Sequence, residues 1–122
     1  EISFFKTDHT DASIGLLFKD DKGKILYTSD TRPIKEIKED WIDSDIPIHE
    51  SSGSSIDEET LITKGHSSSI DAANLANMIK CKKLILCHLP LNDKNTILEE
   101  ARIVFSNTII PSTFYQYNSD NQ

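Results

Sequence analysis

Residues 83–88 (KLILCH) form a nearly continuous apolar run of strand length, set between two segments with helical periodicity. A run of this kind is a buried strand, and the helices beside it are what cover it. Upstream, 69–80 is a helix, because Ala72, Leu75, Ala76 and Ile79 share one stripe and Ser68 with Asp71 supplies an N-cap. Downstream, Thr96 and Glu99 fit a capping box, and Ile97, Leu98, Ala101, Val104 and Phe105 give the next helix a broad apolar face. The earlier half is strand-like at 2–6, 13–19 and 24–29, and the acidic turn Asp20-Asp21-Lys22-Gly23 closes a hairpin.

Pro33 with Ile34, Ile37 and Trp41 at helical spacing predicts a helix over 33–41. Residues 45–49 (DIPIH) form a brief strand, in which Pro47 marks a place where no ladder donor is needed. Residues 57–64 read as a helical turn. The small, polar segment 51–55 (SSGSS) fits a mobile loop near a cleft. Residues 108–111 and 114–117 are expected to be closing strands, with a frayed end beyond them. Three strands followed by alternating helix and strand give an α/β chain with a mixed sheet. Its 122 residues suit a single domain, 1–122, with one core.

Composition narrows the function classes. A net charge of −7 is the wrong sign for a surface that holds nucleic acid by phosphate neutralisation alone, so a cation or another chain segment would have to supply the attraction. No apolar stretch approaches the ~20 residues that span a bilayer. The first residues (EISFFK) do not form a signal peptide, and residue 1 is not Met, which leaves processing or truncation open. Cys81 and Cys87 read as two reduced thiols of a cytoplasmic protein, since two cysteines at this spacing do not make a zinc ribbon.

Three apolar runs each end in a ligand-type residue: Asp30 in SDT, His49-Glu50 in IPIHE, and His88 in LILCH, with His66 in the loop before a helix. In open α/β sheets, side chains beyond the carboxyl ends of strands converge without disturbing the core. Imidazole and carboxylate together suit zinc, and a further imidazole can protonate a leaving group. Taken singly, Asp30 is a turn former, His66 a helix cap, His49-Glu50 a solvated strand end, and His9 an exposed loop histidine. The set as a whole supports a metal hypothesis.

Five segments carry a family resemblance: TDHTDASIGLLF (7–18), ILYTSDTRP (25–33), IHESSG (48–53), GHSSSIDAANLA (65–76) and KLILCHLP (83–90). In order and spacing they resemble the second half of ribonuclease Z and related metallo-β-lactamase-superfamily enzymes. EEARIVFSNTII (99–110) is similar to that family's last helix and strand. The resemblance implies the C-terminal αβ half of an αββα sandwich, with helices on one face of the sheet. It implies that Asp30 bridges two zinc ions and that His88 completes the second zinc site. It also implies that His66 assists protonation of the leaving oxygen, with Glu50 orienting it. His9 matches a position near the site with no assigned role.

The family's His-x-His-x-Asp-His motif, which supplies most of both zinc shells, is absent, and SDT replaces the more usual Gly-Asp-Thr. The residues after His88 (LPLNDK) also depart from the ribonuclease pattern. The implied function is part of a zinc phosphodiesterase acting in RNA 3′-end (tRNA) processing, inactive as this chain alone. Hydrolysis of a cyclic phosphodiester, a thioester or a lactam uses much the same ligands. The alternative is a non-catalytic remnant or interaction module. Implied partners are the missing N-terminal half or a second copy of the chain, giving a homo-oligomer, and an RNA substrate; no membrane is implied.

Overall fold

The computed structural model describes residues 1–118, and the fraying expected beyond 118 lies outside the described residues. Strands β1 (Ile2–Lys6), β2 (Ile14–Asp20) and β3 (Gly23–Tyr27) form an antiparallel meander. The same sheet continues in parallel through β4 (Ile46–Glu50), β5 (Leu84–Cys87) and β6 (Thr108–Ile109), so spatial order follows chain order. Helices α1 (Glu58–Lys64) and α2 (Ser69–Met78) connect β4 to β5, and α3 (Lys94–Val104) connects β5 to β6. No helix among the described residues is long and apolar enough to cross a membrane.

The hairpin forms as expected, with Asp20 Oδ1 accepting the backbone N–H groups of Lys22 and Gly23 at 2.8 and 3.0 Å. The reciprocal cap of α2 is also present: Ser68 N–H donates to Asp71 Oδ2 at 2.8 Å, and Asp71 N–H donates to Ser68 Oγ at 3.3 Å. Pro47 is tolerated inside the sheet because pairing of β4 with β5 begins only at Ile48.

One sheet face packs on the helices. Phe5, Leu17, Leu26, Leu84 and Leu86 meet Ala72, Leu75 and Ala76 of α2 and Ile97 and Ala101 of α3. The opposite face is also apolar but uncovered. Ile2 and Phe4 on β1, Ile14 and Phe18 on β2, and Ile25 and Tyr27 on β3 share it by register, and their exposure runs from 37% at Tyr27 to 63% at Phe4. A soluble domain rarely leaves a contiguous apolar face of this kind bare.

Four expectations need correction. Residues 33–41 do not form a helix; they are irregular with one 3₁₀ turn, Glu39–Trp41. The spacing of Ile34, Ile37 and Trp41 is instead met by a loop that lays them on the core, with Trp41 against the Phe5 ring at 4.5 Å between centroids. The third helix begins at Lys94, and its N-cap, Asp93, makes no side-chain cap bond, so Thr96 lies inside the helix and the expected box at Thr96 and Glu99 is not its start. Residues 114–117 form no strand, because pairing at the sheet edge ends with the two residues of β6. Segment 51–55 is pinned rather than free: Ser51 and Ser54 are buried, Ser52 N–H donates to Ser67 O at 3.1 Å, and Glu100 of α3 accepts from Ser55 N–H at 2.6 Å and Ser55 Oγ at 2.9 Å. Ser52 and Ser55 find partners that the composition alone cannot reveal, whereas the buried Ser54 Oγ finds none among the described residues.

Candidate functional site

Strands β3, β4 and β5 are parallel neighbours, so their carboxyl ends open at the same edge of the sheet. Asp30 follows β3, Glu50 ends β4, and His88 follows β5. The exits after β3 and β5 bend through non-glycine residues in the left-handed region, Ser29 at φ 51° and His88 at φ 50°. Such positions cost roughly 1–3 kcal/mol each and cluster where side chains are held for a purpose.

Asp30 and His88 do converge, with His88 Nε2 3.8 Å from Asp30 Oδ2. His9, given no role from the sequence, joins them: its Nε2 is also 3.8 Å from Asp30 Oδ2. The strand-end rule could have found it. Two antiparallel steps bring β1 back to the direction of β3, so the loop after Lys6 opens at the same edge. That loop is tied to the β3 exit by Arg32 N–H donating to Asp8 O at 2.8 Å and by the Arg32–Asp8 ion pair at 3.1 Å.

Glu50 is fully buried and satisfied on both oxygens. Oε1 accepts from Thr31 N–H at 2.8 Å and His66 Nδ1 at 2.9 Å, and Oε2 accepts from Ser52 Oγ at 2.6 Å. His49-Glu50 is therefore not a solvated strand end. His49 is also fully buried but faces the helices, as its register partner Leu86 does. Its Nδ1–H donates to Glu50 O at 2.7 Å and its Nε2 has no partner among the described residues, and burial holds it below the ordinary imidazole pKa, so it stays neutral. It is no part of the open site.

The imidazoles of His9, His66 and His88 form a row, with centroids 4.8 Å apart for the first pair and 5.3 Å for the second, which is stacked. His9 Nδ1–H donates to Gly65 O at 2.8 Å, and His66 Nδ1–H donates to Glu50 Oε1, since a carbonyl and a carboxylate only accept. Gly65 is required here. It caps α1 at φ 87°, and a Cβ would lie 2.7 Å from His9 Nδ1.

Cys81 and Cys87 are free, and burial pushes their thiols up to about 12 and about 11, so neither is a thiolate at neutral pH. Ligand atoms of His9, Asp30 and His66 lie within 4.8 Å of one another, as do those of Glu50, His66 and His88. This donor set suits a divalent cation. The 3.8 Å separations fall within the roughly 4 Å that two ligands about 2 Å from a common ion can span.

No family model matches the chain. It is similar to ribonuclease Z from Archaeoglobus fulgidus, 40% identical over 94 residues that cover 75% of this chain and 31% of that relative. It is also similar to ribonuclease Z from Picrophilus torridus, 30% identical over 100 residues that cover 80% of this chain and 32% of that one. The chain therefore spans about a third of the length of the curated relatives it matches. Among solved structures, the metallo-β-lactamase fold protein YhfI from Bacillus subtilis superposes with a TM-score of 0.81 at 25% identity, covering 91% of this chain and 46% of that one. The long form RNase Z from yeast superposes with a TM-score of 0.68 at 24% identity, covering 76% of this chain and 14% of that one, and speaks to the fold alone.

Proposed function

We propose that this chain, which is ribonuclease Z-like and has part of a metallo-β-lactamase fold, supplies one side of the active centre of a metal-dependent phosphodiesterase. The observation that carries this is Asp30 Oδ2, 3.8 Å from Nε2 of both His88 and His9. Asp30 and His88 would hold zinc. A cation held at this point would supply Lewis-acid chemistry toward a phosphoryl oxygen and toward water. In the intact protein two ions are expected, with the remaining ligands on a segment outside this chain.

The chain's own residues orient and move protons. Glu50 fixes the plane of His66 by accepting from its Nδ1–H, and in the imidazolium form, with a second proton on Nε2, His66 can deliver that Nε2 proton to the departing oxygen. Thr31 N–H and Ser52 Oγ hold the Glu50 carboxylate against rotation. With a charge of −7, attraction of RNA falls to the cations and to the covering segment. RNA 3′-end processing, as the relatives' name suggests, is the favoured activity. Residues 1–122 would form one domain, the C-terminal αβ half, whose bare sheet face receives the N-terminal half or a second copy. Two unreactive free thiols suit a reducing compartment, the cytoplasm. A non-catalytic interaction module would leave the convergence of Asp30, His9 and His88 unexplained.

His66→Ala in the natural protein is expected to retain bound metal while kcat on an RNA substrate falls by ~10²–10⁴. Metal analysis beside single-turnover cleavage checks this. An unimpaired His66→Ala enzyme would sink the acid role.

A further inference from the structure

We propose that Ser52 is a positioning residue that fixes the tautomer of His88. The inference rests on the metal-centre reading and deepens it. Ser52 is half-buried in the loop after β4 and stands between two site residues: its Oγ is 2.6 Å from Glu50 Oε2 and 3.0 Å from His88 Nδ1. A hydroxyl has one proton to give. The carboxylate takes it, because Glu50 Oε2 accepts that bond. Toward His88 the oxygen can then only accept, so His88 Nδ1 carries the hydrogen and Nε2 is left with its lone pair.

That nitrogen is the one 3.8 Å from Asp30 Oδ2. The bond therefore selects the form of His88 able to ligate a cation beside Asp30. His9 and His66 reach the same Nδ1–H form through a carbonyl and a carboxylate, which have no choice of direction. His88 alone depends on a hydroxyl whose direction is set elsewhere. Glu50 thus governs two imidazoles, one directly through Oε1 and one through Ser52 on Oε2. The left-handed backbone at His88 adds a reason for this tether, since the ring projects from a turn instead of a strand and is about half exposed.

The test is ¹⁵N NMR of the imidazole nitrogens in the metal-free natural protein at about pH 8, above the ordinary imidazole range. His88 is expected as the Nδ1–H tautomer. In Ser52→Ala the Nε2–H tautomer should appear, and zinc affinity should fall by ~10–100-fold, the usual cost of losing a partner behind a metal-ligating histidine. Ser52→Thr, which keeps the hydroxyl, should restore both. A wild-type His88 with the hydrogen on Nε2, or a Ser52→Ala protein unchanged in tautomer and zinc affinity, overturns the proposal. If Ser52→Ala does not fold, the wild-type spectrum alone decides. A wild-type protein that shows Nδ1–H but takes up no zinc would refute the metal-centre reading and leave the tautomer assignment standing.

Discussion

Asp30→Ala is expected to strip the metal and abolish cleavage together in the natural protein, with little effect on folding. Among the described residues, Asp30 is the one carboxylate facing both His9 Nε2 and His88 Nε2, each at 3.8 Å. Without it, His88 is the one proposed zinc ligand left on this chain, with no carboxylate beside it to share the cation. Zinc affinity should therefore fall by more than ~100-fold, beyond what loss of a mere outer partner costs. Its side chain is about one-third exposed. The metal-free protein should accordingly change in stability by no more than about 0.5 kcal/mol, as at other surface positions without buried partners. Metal content, cleavage rate and a melting curve of the metal-free protein check the three parts. Loss of activity with full metal content would remove Asp30 from the ligand set.

The second large effect concerns the bare sheet face. Prepared alone, the 122-residue chain is expected to self-associate through β1–β3, since Phe4, Ile2, Ile14 and Phe18 stand exposed on one apolar sheet face. Phe4→Lys with Phe18→Lys should return it to a monomer, because both side chains lie on that face and outside the core formed with α2 and α3. Light scattering over a concentration series distinguishes the cases. A compact, soluble monomer of the unaltered chain at high concentration would contradict the expectation that something covers this face.

The sheet and its site edge were readable because alternation and apolar runs report burial directly: residues 83–88 became β5, and Ser68 with Asp71 became the cap of α2. The loop over 33–41 was not readable, since Ile34, Ile37 and Trp41 have helical spacing but answer to the Phe5 side of the core. The order of 51–55 depends on Glu100, which is 45 residues away from Ser55 in sequence. The same distance effect hid His9, which needs the hairpin's return of β1 to bring it against Asp30 and Gly65. Asp30, Glu50, His66 and His88 were picked out by type and strand position, but that Glu50 reaches His66 and Ser52 together is a fact of packing.

The central claim is that a cation sits where Asp30 meets the Nε2 atoms of His88 and His9. Zinc titration of the natural protein, followed through the ¹⁵N resonances of its histidine rings, tests it most directly. A saturable shift at Nε2 of His88, lost in Asp30→Ala, is the predicted result. Resonances that ignore zinc, or a response at His88 that survives without Asp30, would contradict the account.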